Sequence, residues 1–301
     1  MKIAILGATG CIGRSLIDKL LSLGGHEIIA SYRKGSEPSE KEKENTVFWR
    51  EIDLADDSSI SEFLEGIDIL YYLIHSFDSA DFERLDREFA KNVQKALKHS
   101  EVKKVVYLGG IFPRNEKLSF HLASRRETGS ILAASGIPIA EVRASIILGL
   151  CSDSFKIIYT VVKISPVIFA PKDIESLCSP VSIKDAIEFL SALAYIPLND
   201  REVYEIGAQT LTYEELIKLC AEVIQKHKII IIKIPLLFAH FFSFCLTALS
   251  DIKYRTAMNL TKSLTNNSSY INNRFKEIVG RDPEPLDSVF VGLADEIKKS
   301  G

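Results

Sequence analysis

Seven residues near the start, Gly7-Ala8-Thr9-Gly10-Cys11-Ile12-Gly13, constrain this chain most. They follow a short apolar run at 3–6 and precede Leu16, Ile17, Leu20 and Leu21 at helical spacing. A strand, a glycine turn and a helix in that order open a parallel βαβ unit. The glycines serve separate ends, namely a tight turn, close approach of backbone to a ligand, and close packing of helix on strand. The spacing is GxxGxxG rather than GxGxxG, and its place between a strand and a helix gives it meaning.

The helix after such a turn aims unpaired N–H groups at whatever lies over its first residues, which favours phosphate. Gly7, Thr9, Gly10, Cys11, Ile12 and Gly13 are therefore expected to cradle the pyrophosphate of a dinucleotide. In such folds an acid about 20 positions past the glycines takes the ribose hydroxyls, whereas an arginine suits a 2′-phosphate. Here that position is Arg33, followed by Lys34, with no acid before Glu37. NADP(H) is favoured, and NAD(H) stays possible. Cys11 at the helix start is either a small filler of a variable position or a thiol of lowered pKa.

Further apolar runs at 27–31, 47–52, 67–74, 104–108 and 139–144 alternate with amphipathic stretches. The clearest stretch, 81–99, carries Phe82, Leu85, Phe89, Val93, Ala96 and Leu97 on one side. This rhythm implies an α/β fold, a doubly wound parallel Rossmann-type sheet covered on both faces. It covers residues 1–150, with a return segment at about 179–207. Residues 151–178 and 208–301 are expected to form a smaller substrate-side lobe. There, Thr212 and Glu215 make a capping-box signature for a helix over 213–226. Residues 33–45, rich in both charges, are expected to be an exposed loop.

Residues 228–250 form a long apolar stretch interrupted by Lys233, Pro235 and His240. A charge in mid-span is costly in a bilayer, so a strand followed by a helix is expected, with peripheral membrane contact as the alternative. Phe238, Phe241, Phe242 and Phe244 are the residues for that contact. The net charge of −3 gives no reason to expect a nucleic-acid partner. The five cysteines, 140, 27, 42 and 25 positions apart, include no CxxC pair. No metal site and no disulfide framework are expected, and a reducing cytoplasmic setting is.

GATGCIG, Asp53-Leu54, Tyr72-Leu73-Ile74-His75-Ser76, HLASR at 121–125, EVRASIILG at 141–149 and SPVSIKDAI at 179–187 together resemble the atypical short-chain dehydrogenases/reductases. The likeness is to NmrA-like and YbjT-like NAD(P)-binding proteins and spans nearly the whole chain. It implies that Asp53 bonds the adenine, with Leu54 nearby, and that Leu73, Ile74 and His75 border the cofactor ribose. Active members of that superfamily use a Ser after the fifth strand and a Tyr and Lys four apart on the next helix. Here the fifth run ends Leu108-Gly109-Gly110, and the YxxxK position reads His121 to Arg125. The spacing keeps both side chains on one helix face. His121 is the expected proton donor, His75 a second candidate, and Arg125 a clamp on ribose or phosphate that cannot act as a base. Arg143, buried by pattern, needs an acid or a substrate anion. Two functions remain open: an oxidoreductase acting on an unidentified small substrate, or a non-catalytic NAD(P)H sensor or assembly factor.

Overall fold

Apolar runs become parallel strands in the order the glycine turn demands. A computed structural model describes residues 1–43, 46–76, 79, 81–113, 117–234 and 264–300. β1 (Lys2–Leu6) leads through α1 (Cys11–Leu23) to β2 (Glu27–Tyr32), α2 (Glu40–Lys43) and β3 (Val47–Glu51). After α3 (Asp57–Phe63) the chain returns to β4 (Ile69–Tyr72) on the other side of β1. It continues through α4 (Phe82–Leu97), β5 (Lys104–Gly110), α5 (Phe120–Ala133) and β6 (Ile139–Ala144). The strand order is β11-β6-β5-β4-β1-β2-β3, where β11 is Arg201–Ile206, and every pairing is parallel. The direction of winding reverses between β1 and β4, and the crevice at such a reversal is where these sheets bind ligands.

All seven residues of β5 are buried, as a strand covered on both faces requires. One face packs Ile3, Ile5, Leu16, Leu20, Phe189 and Leu190 together. The other packs Leu6, Ile60, Phe63, Val93, Leu97 and Leu132. The chain leaves the sheet through β7 (Ile147–Leu148) and α6 (Asp153–Ile164), whose N-cap Ser152 accepts from Phe155 N–H at 3.2 Å. After β8 (Val167–Pro171) and β9 (Leu177–Cys178), β10 (Val181–Ser182) and α7 (Ile183–Ala192) lead back to β11. β12 (Leu211–Thr212) and α8 (Tyr213–Cys220) follow, with the expected capping box in place. A separate core joins Phe155, Ile158, Val162, Leu216 and Phe290. Phe290 belongs to the last helix, α10 (Leu286–Ser300).

The structure departs from the sequence reading in four places. Residues 33–45 include the helical turn α2, closed by Glu42 accepting from Ser39 N–H at 2.7 Å. The helix expected over 213–226 changes to a wider π turn at Ala221–Gln225 and ends at Lys226, whose φ is 57°. Phe275, in α9 (Phe275–Val279), joins the core beneath α7 rather than the second lobe, because its ring stacks on Phe189 at 5.9 Å. The fourth concerns cysteines: Cys11 and Cys151 form a disulfide with Cα atoms 5.5 Å apart. Their separation of 140 residues hid the pairing, which only the fold creates.

β13 (Ile230–Ile234) is the strand expected at the start of 228–250 and pairs in parallel with β8. Residues 235–250, with the four phenylalanines, lie outside the described residues. Ile230, Ile232 and Phe169 on the two strands are exposed. Among the described residues no helix is long and apolar enough to cross a membrane.

Candidate active site

The glycine turn is tight enough to leave no choice of residue at two positions. Gly7 has φ +85°, and a Cβ there would lie 2.9 Å from the Leu73 carbonyl oxygen. A Cβ on Gly13 would come within 2.4 Å of Gly7 O and 2.7 Å of Ala8 Cα. The Gly7 N–H donates to Ser31 Oγ at 3.1 Å, tying the turn to β2. α1 has Gly10 as its N-cap, no side chain capping it, and no acid in its first turn. Its first amides are thus left for an anion, and the turn fits a dinucleotide pyrophosphate.

The other residues expected around a cofactor follow the C-terminal ends of β2, β3 and β4. Leu73, Ile74 and His75 follow β4, and the Leu73 N–H donates to Leu6 O at 2.9 Å. Arg33 and Lys34 are exposed in the turn after β2, where Ser36 N–H donates to Arg33 O and Arg33 Nε to Ser36 Oγ. Asp53 is exposed after β3, one carboxylate oxygen accepting from Ala55 N–H at 2.9 Å. Leu54 is buried beside it, its carbonyl taking a bond from Asn92.

His121 and Arg125, one turn apart on α5, both line a cavity of about 150 Å³ beyond the ends of β5 and β6. Its walls are mostly apolar, with Ile111, Leu122, Ile157, Ile158, Val161 and Ile217 prominent. Arg125 Nε is buried with no hydrogen-bond partner among the described residues. Burial, and then the charges of His75 and Arg125, hold His121 well below the ordinary histidine range, so its imidazole is neutral at pH 7. In that form the ring can donate one N–H or accept at its other nitrogen, so a proton that it gives is one that must be replaced as it leaves.

The ring centre of His75 is 4.9 Å from that of His121. Behind it stands Asp86, which the sequence reading missed. Asp86 is buried; its carboxylate accepts from Ser76 N–H at 2.9 Å and Ser124 O–H at 3.0 Å, and faces His75 Nδ1 at 3.2 Å. Burial opposes its charge, but the bonds from His75 and Ser76 outweigh this and hold its pKa below the ordinary value. Asp86 therefore favours an N–H at Nδ1 of His75. A signal was there to read: Asp86 interrupts the buried stripe Phe82, Ala90, Val93, Leu97. Also missed was a hydroxyl chain on the cavity wall. Ser145 and Ser268 lie 2.7 Å apart and Tyr213 is 3.2 Å from Ser268. Burial, and then neighbouring Cys178, raises the Tyr213 phenol above its ordinary pKa.

Two further charged side chains, Arg143 and Asp185, are held in structural ion pairs. Arg143 finds its acid in Glu141, Nε to Oε1 at 2.7 Å, while Arg201 takes the other oxygen. Asp185 accepts from Arg281 and from Glu284 N–H. Among the described residues no cluster of ligating side chains could hold a metal ion.

Residues 7–147 match the model of a family described as NAD(P)H-binding. No curated protein matches the chain. Solved structures do match in fold. Triphenylmethane reductase from a Citrobacter species shares 18% identity at TM-score 0.80, over 98% of this chain and 100% of that one. A nucleoside-diphosphate-sugar epimerase from Staphylococcus aureus shares 17% at TM-score 0.79, over 97% and 100%. An NADPH-dependent quinone oxidoreductase from Escherichia coli, complexed with NADPH, shares 17% at TM-score 0.74, over 97% and 99%.

Proposed function

We propose that this chain, built around an NAD(P)H-binding domain, is an atypical short-chain dehydrogenase/reductase and works as an NADP(H)-dependent oxidoreductase on a small apolar carbonyl or quinone. The observation that carries the reading is the apolar cavity with His121 and Arg125 together on its wall. A cavity of about 150 Å³ holds roughly one aromatic ring, which sets the size of the reacting part of the substrate.

The dinucleotide, when bound, supplies or accepts a hydride. The protein's part is to hold it, exclude water and manage one proton. The glycine turn and the N-terminus of α1 take the pyrophosphate, and Arg33 with Lys34 takes the 2′-phosphate. Arg125 presents a fixed charge to a ribose hydroxyl or to the oxygen that becomes negative. Neutral His121 donates an N–H proton to that oxygen, and His75 restores it. Asp86 accepts the Nδ1 proton of His75, so His75 passes on its Nε2 proton from the doubly protonated ring, which the adjacent carboxylate supports. The isopropyl and methyl-rich walls keep water out of the reaction.

The absence of Ser after β5 and of Tyr at 121 favours the second reading, a dinucleotide sensor. Nucleotide titration combined with a turnover screen separates the two. His121→Gln is expected to bind NADPH nearly as wild type does and to lose ~10²–10⁴-fold in turnover, the size of a general acid–base contribution. Wild-type turnover in that variant removes His121 from the proton route.

A further inference from the structure

The disulfide joins two loops at the C-terminal edge of the sheet. Cys11 is the first residue of α1, inside the glycine turn, and Cys151 directly precedes Ser152, the N-cap of α6. β1 and β6, the sheet strands that these loops leave, are not neighbours: β4 and β5 lie between them. Three strand spacings set their ends roughly 14 Å apart. The bridge therefore closes a ring across the C-terminal ends of β4 and β5, where Leu73, His75, Gly110 and Ile111 stand. It also fixes the start of α6, which supplies Ser154, Ile157 and Ile158 to the cavity wall.

The two cysteines differ from the others described. Cys178 and Cys220 are buried and unbonded, and burial pushes the Cys220 thiol up to about 12. Residue 151 is exposed and residue 11 half-buried, so the bond is within reach of a reductant.

We propose that Cys11–Cys151 is a redox-modification site, a clasp that gates exchange of the dinucleotide and is opened by a dithiol reductant. The proposal rests on the dinucleotide-binding reading of the glycine turn and is independent of hydride transfer. A thiolate of the dithiol attacks Sγ of Cys151, the Cys11–Cys151 bond breaks, and Cys11 leaves as a thiolate. A helix N-terminus stabilises such a leaving group. The second thiol of the reductant then displaces Cys151 as a thiolate and departs in its own disulfide. Two electrons pass from dithiol to protein; the two protons released by the dithiol are available to the new cysteine thiols. Closed, the ring hinders passage of dinucleotide in both directions; open, loop 149–152 is free to move from α1.

The test compares full-length protein oxidised with diamide and reduced with dithiothreitol. Peptide mapping should find Cys11 linked to Cys151 only after oxidation. Release of bound NADPH, chased with excess NADP⁺ and followed by nicotinamide fluorescence, should be at least about tenfold slower from the oxidised form. Cys151→Ser, changed at an exposed position, should release NADPH at the fast rate under both conditions. Lack of the linked peptide after oxidation overturns the proposal. So does equal release from linked and reduced protein, and this leaves dinucleotide binding standing. Lack of NADPH binding in either form overturns both.

Discussion

Gly13→Ala probes whether the turn is as tight as its geometry states. The added methyl would sit 2.4 Å from Gly7 O and 2.7 Å from both Ala8 Cα and Ala8 O. All three are backbone atoms, so no side chain can swing aside. Overpacking of this kind costs about 1–3 kcal/mol. Alanine in a helix returns about 1 kcal/mol. With clashes on three backbone atoms the upper figure applies, which leaves a net loss of about 2 kcal/mol, or roughly 3 °C in Tm for a chain of this length. The larger effect falls on the ligand. Displacing the turn by about 1 Å misaligns amides that each contribute about 1.5–3 kcal/mol to a charged acceptor, so NADPH affinity should drop by about tenfold or more. Gly292→Ala is the control. It lies exposed in α10 with nothing within 4 Å of the new methyl, and should stabilise the protein by up to about 1 kcal/mol. Calorimetry and fluorescence titration read both quantities. A Gly13→Ala protein with wild-type Tm and wild-type NADPH affinity would refute the packing argument.

Arg33→Ala should weaken NADPH by about 1.5–3 kcal/mol while leaving NADH nearly unchanged, and equal nucleotide preference in the wild type would contradict the role of Arg33. His121 titrates well below its unfolded value in the native state, so protons bind the unfolded chain first. Stability is full above the unfolded pKa near 6.5 and declines as pH falls toward the depressed native value, by at most about 1.4 kcal/mol per pH unit. Thermal melts of His121→Gln should accordingly lose less Tm than wild type between about pH 7 and pH 5; parallel curves would show that His121 is not held neutral. Exposed Ile230, Ile232 and Phe169 predict binding to lipid vesicles that weakens when Ile232 becomes Asp, and sedimentation identical for the two proteins would remove the membrane contact.

Much of the fold was legible because it is written in local patterns. Strand β6 occupies the residues that its apolar run marks, 139–144, and Thr212 with Glu215 caps α8 as their spacing requires. The i,i+4 pairing of His121 and Arg125 also survives, since a helix fixes that relation. What escaped depends on distance along the chain. Cys11 meets Cys151, and Ser145 meets Ser268 across 123 positions; no spacing rule anticipates such pairs. Glu141 hid for a different reason. It lies in a buried strand beside Arg143 and reads as an interruption until Arg201 from β11 arrives as its second partner.

Whether the cavity beside His121 and Arg125 performs hydride chemistry is decided by NADPH oxidation. Wild type and His121→Gln are presented with a panel of one-ring quinones, enones, aldehydes and ketones, with NADPH binding confirmed for each protein. Wild type is expected to consume NADPH with at least one member of the panel, and the variant to do so ~10²–10⁴-fold more slowly. Tight NADPH binding by both proteins with no consumption by either would contradict this and favour a sensor.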